Sequence, residues 1–183
     1  MEELKQIDPG RALCFRGHRP DRLPGGGLPD APETQELIFR LRTQIEEAVG
    51  QGKMFFCHGA MPGFDILAAE QVVFLKDKYP HIRLITVAPY KTEFFAQEKH
   101  WTPEWIHRAW KIFHSQDMGT EVADSYRSNI YRERDCTLID HSSGLICYWN
   151  GKNGGTKFAV EYARKTNKKV INLAELGCHI RYL

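Results

Sequence analysis

The chain has no long hydrophobic run, no surplus of either charge and no cysteine pair at redox or metal spacing, and each absence closes off a class of protein. No apolar stretch approaches the ~20 residues that a membrane-spanning helix needs. Residues 1–10 are too polar for a secretory signal, so a soluble cytoplasmic protein is expected, with no membrane partner. With 25 basic against 23 acidic side chains the net charge is +2. Such a balance lacks the broad basic footprint of a nucleic-acid binder, and nucleic acid is not the expected partner. The five cysteines, Cys14, Cys57, Cys136, Cys147 and Cys178, are odd in number and form no Cys-x-x-Cys. They read as buried reduced thiols. There is no internal repeat or low-complexity segment, and 183 residues suffice for one core, so residues 1–183 are read as a single domain.

Metal-ligand spacing is equally lacking. His100, His107 and His114 recur every seven residues, which on a helix places neighbours ~10 Å apart, too far to share one ion. Neither a metal nor a required cofactor is expected. Trp101, Trp105 and Trp110 in the same region read as core or interface material, the segment through which a homo-oligomer would form. No Ser-His-Asp order and no P-loop can be built.

What is present is an alternation of short apolar runs with segments of helical period. Strands are expected at 12–15, 54–57, 82–88, 118–122, 144–149 and 168–173. Helices are expected at 31–50, after Asp65, at 102–114, at 124–141 and at 156–165. Asp30 and Asp65 are placed to cap their helices, and Thr102-Pro103 to start a third. Alternation of this kind predicts an α/β fold of three layers around a mostly parallel central sheet, because crossover helices must cover both faces.

Three predicted strand ends run into glycine: Gly17 after the first, Gly59 and Gly63 after the second, Gly154-Gly155 after the fifth. In a parallel sheet ligands bind beyond the strand carboxyl ends, at the switch in strand order. The last corner also opens a helix, whose first amides have no intrahelical partner and favour an anion where no Cβ intervenes. Thr156 is placed to cap that helix or to donate to a phosphate oxygen. Glycines punctuate ordinary turns equally well, and it is the convergence of three corners that points to a phosphate site.

Further candidates are His18 and Arg19 in the first loop and Arg134, which shares a helical stripe with Tyr126, Ile130 and Leu138. A guanidinium on an apolar stripe meets a carboxylate or a bound phosphate, or else snorkels from the helix edge. Asp65 serves as a cap, or bonds a ligand hydroxyl, or both.

The motifs Arg16-Gly17-His18-Arg19-Pro20, His58-Gly59-Ala60-Met61-Pro62-Gly63-Phe64-Asp65, Arg134 through Ser142, and Gly154-Gly155-Thr156 together resemble the YpsA-like branch of the SLOG superfamily, from about Leu13 to Leu173. The resemblance implies a Rossmann-like fold and a pocket for a nucleotide-derived ligand, ADP-ribose- or NAD-like, built from Gly17, His18, Arg19, Gly59, Ala60, Gly63, Asp65, Arg134, Gly154, Gly155 and Thr156. The superfamily also contains the Lonely Guy phosphoribohydrolases and the single-strand DNA binder DprA, so DprA-like single-stranded DNA binding is one alternative, against which the near-neutral charge weighs. Aligning the double glycines with the Lonely Guy motif puts Glu161 in register with its catalytic glutamate, so N-glycosidic hydrolysis by Glu161 with Arg134 holding phosphate is an alternative; Lys157-Phe158 breaks that motif. Two other departures stand out. Arg16 occupies a usual threonine position, adding charge beside the pocket, and Arg134-Asp135-Cys136 stands where Arg-Asn-Arg is common.

Overall fold

A computed structural model describes residues 2, 4–91 and 100–175. Six strands, β1 (Ala12–Gly17), β2 (Phe55–His58), β3 (Arg83–Tyr90), β4 (Met118–Ala123), β5 (Gly144–Tyr148) and β6 (Lys169–Asn172), form one sheet in the order β4-β3-β2-β1-β5-β6. Every adjacent pair is parallel. Between the strands run α1 (Pro32–Gly50), α2 (Phe64–Leu75), α3 (Pro103–Ser115), α4 (Ile130–Asp140) and α5 (Gly155–Lys165). The predicted α/β fold with three layers is therefore present.

Each strand feeds both layers because its side chains alternate. Leu13 and Phe15 of β1, Phe56, Leu84 and Ile146 join the apolar faces of α1, α2 and α3 in one core. Their sequence neighbours Ala12, Cys14, Cys57, Ile85, Leu145 and Cys147 pack with α4 and α5 in the other. Cys14, Cys57 and Cys147 are buried and unpaired, and burial raises all three thiols, Cys14 and Cys147 to about 12. Cys136 is partly buried and Cys178 lies outside the described residues. Trp101 and Trp105 are core residues, whereas Trp110 is exposed. No described helix is long and apolar enough to cross a membrane.

Helix starts differ from expectation in three places. α1 has Ala31 rather than Asp30 at its N-cap, without a side-chain bond, and the Thr34 hydroxyl of its first turn donates instead to Pro24 O at 2.8 Å. α2 is capped by Gly63, so Asp65 falls one residue inside the helix, wholly buried, where it meets arginine instead of amides. α4 begins at Ile130 rather than near 124, because Asn129 adopts the left-handed region with φ 67° and interrupts the helical path. Tyr126 consequently leaves the Arg134 stripe and is 66% exposed, while Ile130 and Leu138 remain on it and are buried. The Thr102 side chain does cap α3, accepting from Trp105 N at 3.4 Å.

Candidate functional site

The chain crosses from one half of the sheet to the other between β1 and β5, which are neighbours although 126 residues separate their ends in Gly17 and Gly144. Crevices outside strand carboxyl ends open at such switches. Here a cavity of about 410 Å³ is lined by Gly17, His18 and Arg19 after β1, Gly154, Gly155 and Thr156 at the start of α5, and Arg134 of α4. Seven of the expected site residues thus meet. Arg22 ties the two rims together by donating to Asn153 O at 3.1 Å.

The second glycine corner lies elsewhere. Gly59, Ala60, Gly63 and Asp65 are buried and do not line the cavity, because β2 stands one strand away from the switch and its loop packs beneath that of β1. Gly63, with φ 99°, lets Phe64 N reach His18 O at 3.1 Å; a Cβ there would sit 2.4 Å from that oxygen. Gly59 leaves room for Arg134, whose Nη1 donates to its carbonyl and would be 2.0 Å from an added Cβ. Ala60 holds φ 58°, a conformation disfavoured for a residue with a Cβ. This corner shapes the floor and positions Arg134.

Beneath the cavity two arginines face two aspartates. Arg16 binds Asp65 Oδ2 through Nη1, and its Nε lies 2.8 Å from Asp135 Oδ1 without the alignment of a hydrogen bond. Arg134 Nε donates to Asp135 Oδ1 at 2.9 Å, and its Nη1 is 3.9 Å from Asp65. Burial works against the charge on Arg16, but Asp135 and Asp65 outweigh it and hold its pKa above the ordinary value. Arg134 is brought down to about 10 by burial and then by Arg16, and stays cationic near neutrality. Arg16 lines the cavity wall, yet its charge is spent on Asp65 and Asp135, so it contributes less free charge to the pocket than its sequence position suggests. The partner Asp135 escapes sequence reasoning, since only the fold brings it to Arg16.

Three buried atoms of this cluster have no hydrogen-bond partner among the described residues: Arg16 Nε, Asp65 Oδ1 and Arg134 Nη2. Leaving a buried donor unsatisfied costs about 1–3 kcal/mol, more for a charged group. Above it, α5 begins at Gly155 with no side chain capping its amides. Thr156 is not the cap; its hydroxyl lies 3.5 Å from His18 Nδ1. The His18 Nε2 is 2.7 Å from Asn150 Oδ1 and also accepts from Asn150 N at 3.3 Å, so both ring nitrogens face groups of the β5–α5 corner. Burial lowers the His18 pKa, so the ring is neutral at neutral pH. Arg22 and Arg132 complete a lining of five arginines against Asp21 and Asp135, a positive site on a nearly neutral chain. Arg22 and Arg132 carry no motif, and nothing short of the fold would have found them.

Glu161 is on the outside of α5, its side chain 59% exposed and 3.7 Å from Lys157 Nζ, and is not part of the cavity. No group of three or more potential metal ligands occurs among the described residues.

A family model described as the YspA SLOG family matches residues 13–176. The chain belongs to that family. It is 28% identical over 144 residues to the uncharacterized SPbeta prophage-derived protein YoqJ of Bacillus subtilis, covering 74% of this chain and 84% of that one. It is 26% identical over 148 residues to a UPF0398 protein of Brevibacillus brevis, covering 79% and 72% respectively. Among solved structures it is similar to DNA processing protein A from Helicobacter pylori, described as having a unique single-stranded DNA binding mode, with a TM-score of 0.57, 16% identity and coverage of 93% and 67%. DprA from Streptococcus pneumoniae superposes with a TM-score of 0.55 at 11% identity, covering 93% of this chain and 51% of that one. At such identities the likeness is one of fold.

Proposed function

We propose that the cavity binds the phosphate of a nucleotide or nucleotide-derived ligand, of the ADP-ribose or NAD kind, and that the protein acts as a binder or sensor of it. The observation that carries this reading is the buried Arg134 Nη2 without a partner, set beside the uncapped amides of α5. A phosphoryl group in the cavity would meet the uncapped amides and answer the charge of Arg134 in the same wall, and the helix dipole and the arginine-rich lining add to its attraction. The cavity volume of about 410 Å³ falls in the range of small-molecule sites.

Hydrolysis of an N-glycosidic bond would need a carboxylate at the ribose. Glu161 points away from the cavity and Asp135 is engaged by two arginines, which favours binding over cleavage. Single-strand binding is a second reading, favoured by the five arginines of the wall and by the shared fold with a protein described as binding single-stranded DNA.

A thermal-shift screen with AMP, ADP-ribose, NAD and cyclic dinucleotides tests the proposal. A true ligand at a hundred times its Kd should stabilise the fold by about 2.7 kcal/mol. Mass analysis of the mixture should return the ligand intact. No stabilisation by any of these phosphorylated compounds would refute the reading, and release of free base would turn it into a hydrolase.

A further inference from the structure

The geometry points to a nucleobase-stacking subsite on Tyr126 and Tyr131 at the mouth of the cavity, an inference that rests on the phosphate reading above. Tyr131, in the first turn of α4, lines the cavity together with Arg132 and Arg134 of the same helix. Its ring packs against Tyr126 at 6.5 Å between centroids and against Tyr90, the last residue of β3, at 6.4 Å. Tyr90 and Tyr126 close the triangle at 5.8 Å, nearly perpendicular at 78°. Three tyrosines from three separate segments thus converge beside a positive pocket.

Two features set this cluster apart from ordinary packing. Tyr126 is 66% exposed, so its ring gains little from burial where it stands. Edge-to-face contacts of Tyr90 with both rings nevertheless hold Tyr126 and Tyr131 in fixed relative orientations, a platform that exists before a base arrives. Along α4, an aromatic side chain at 131 and guanidinium groups at 132 and 134 place a π-surface next to phosphate-binding donors, the two kinds of group that a nucleoside monophosphate presents in reverse. The base stacks on the exposed ring of Tyr126, with Tyr131, tilted 57° to that ring, meeting its inner edge, and the sugar leads its phosphate inward to Arg134 and the amides of α5. Because every base has a π-face, the platform recognises bases as a class rather than one of them.

The test is calorimetric titration of the four common nucleoside 5′-monophosphates and of ribose 5-phosphate into the wild type, Tyr126→Ala and Tyr126→Phe. Stacking should make the nucleotides bind roughly 5- to 150-fold tighter than ribose 5-phosphate. Tyr126→Ala should lose most of that advantage while its affinity for ribose 5-phosphate is unchanged, and Tyr126→Phe should keep it. Tyr131→Leu, read through the same ratio, reports on the inner ring. If no nucleotide outcompetes ribose 5-phosphate in the wild type, or if Tyr126→Ala retains the preference, the subsite is wrong and the phosphate site stands. If neither nucleotides nor ribose 5-phosphate bind, both fall together.

Discussion

His58 is held neutral by its surroundings. Its Nδ1 accepts from Ala60 N at 3.3 Å, so the ring proton sits on Nε2, which donates to Thr86 Oγ1 at 2.8 Å. Burial lowers its pKa from 6.5 to about 4; Asp65 partly offsets this, and Arg134 and Arg16 reinforce it. In the unfolded chain the imidazole takes up its proton near 6.5, whereas the folded protein resists until about 4. Stability conferred by neutral His58 is therefore complete above that window and is lost as pH falls through it, by about 1.4 kcal/mol per pH unit. Burial of His18 acts in the same direction. Urea midpoints at pH 7 and pH 4.5 should show the loss, and a His58→Gln variant should show a shallower slope; equal slopes would discount His58. The arginine pair allows a second residue-level test. Arg16→Thr strands Asp65 and Asp135 against Arg134 alone, and breaking a buried pair costs about 3–5 kcal/mol. Adding Asp135→Asn restores a balance of one charge against one, with the threonine and asparagine that the family resemblance leads one to expect. The double variant should denature at higher urea than Arg16→Thr by itself.

At the level of elements, the start of α5 separates fold from function. A Cβ on Gly155 meets nothing within 4 Å, and its backbone is that of an ordinary helix. Gly155→Ala should leave stability unchanged or raise it by up to about 1 kcal/mol. The same methyl group stands in the cavity wall where phosphate would approach the amides, so ligand affinity should fall while the melting temperature does not. A melting temperature that falls along with affinity would mark Gly155 as structural. The β2–α2 corner shows why glycines alone mislead: Gly59 and Gly63 resemble Gly154 in sequence, but they admit Arg134 and the backbone of the β1 loop rather than a ligand. Asp65 reads as a helix cap because it precedes an apolar helical pattern. What moves it into the helix is Gly63, whose φ of 99° starts α2 earlier, and what fixes its role is Arg16, 49 residues away in the chain.

Across the molecule, the cavity's positive charge is local, for the chain as a whole carries only +2. Attraction for one phosphorylated small molecule should depend modestly on salt, whereas a single strand spanning many phosphates loses affinity with a slope of about −0.7 per phosphate contacted. Measured between roughly 50 and 200 mM salt, nucleotide affinity should change less than about tenfold, and a change of a thousandfold would point to a strand as the partner. The amino-acid sequence by itself determined the number and type of the main strands and helices, the parallel sheet, the glycine-rich opening of α5 and the place of Arg134 on the buried stripe of α4, because hydrophobic period and turn chemistry act over a few residues. Only the tertiary structure decided that the ends of β1 and β5 adjoin, that the β2 corner lies beneath them, that Asp135 pairs with Arg16 and that Tyr90 and Tyr126 pack on the cavity-lining Tyr131. Those outcomes depend on strand order and on contacts between distant segments, which no local pattern encodes.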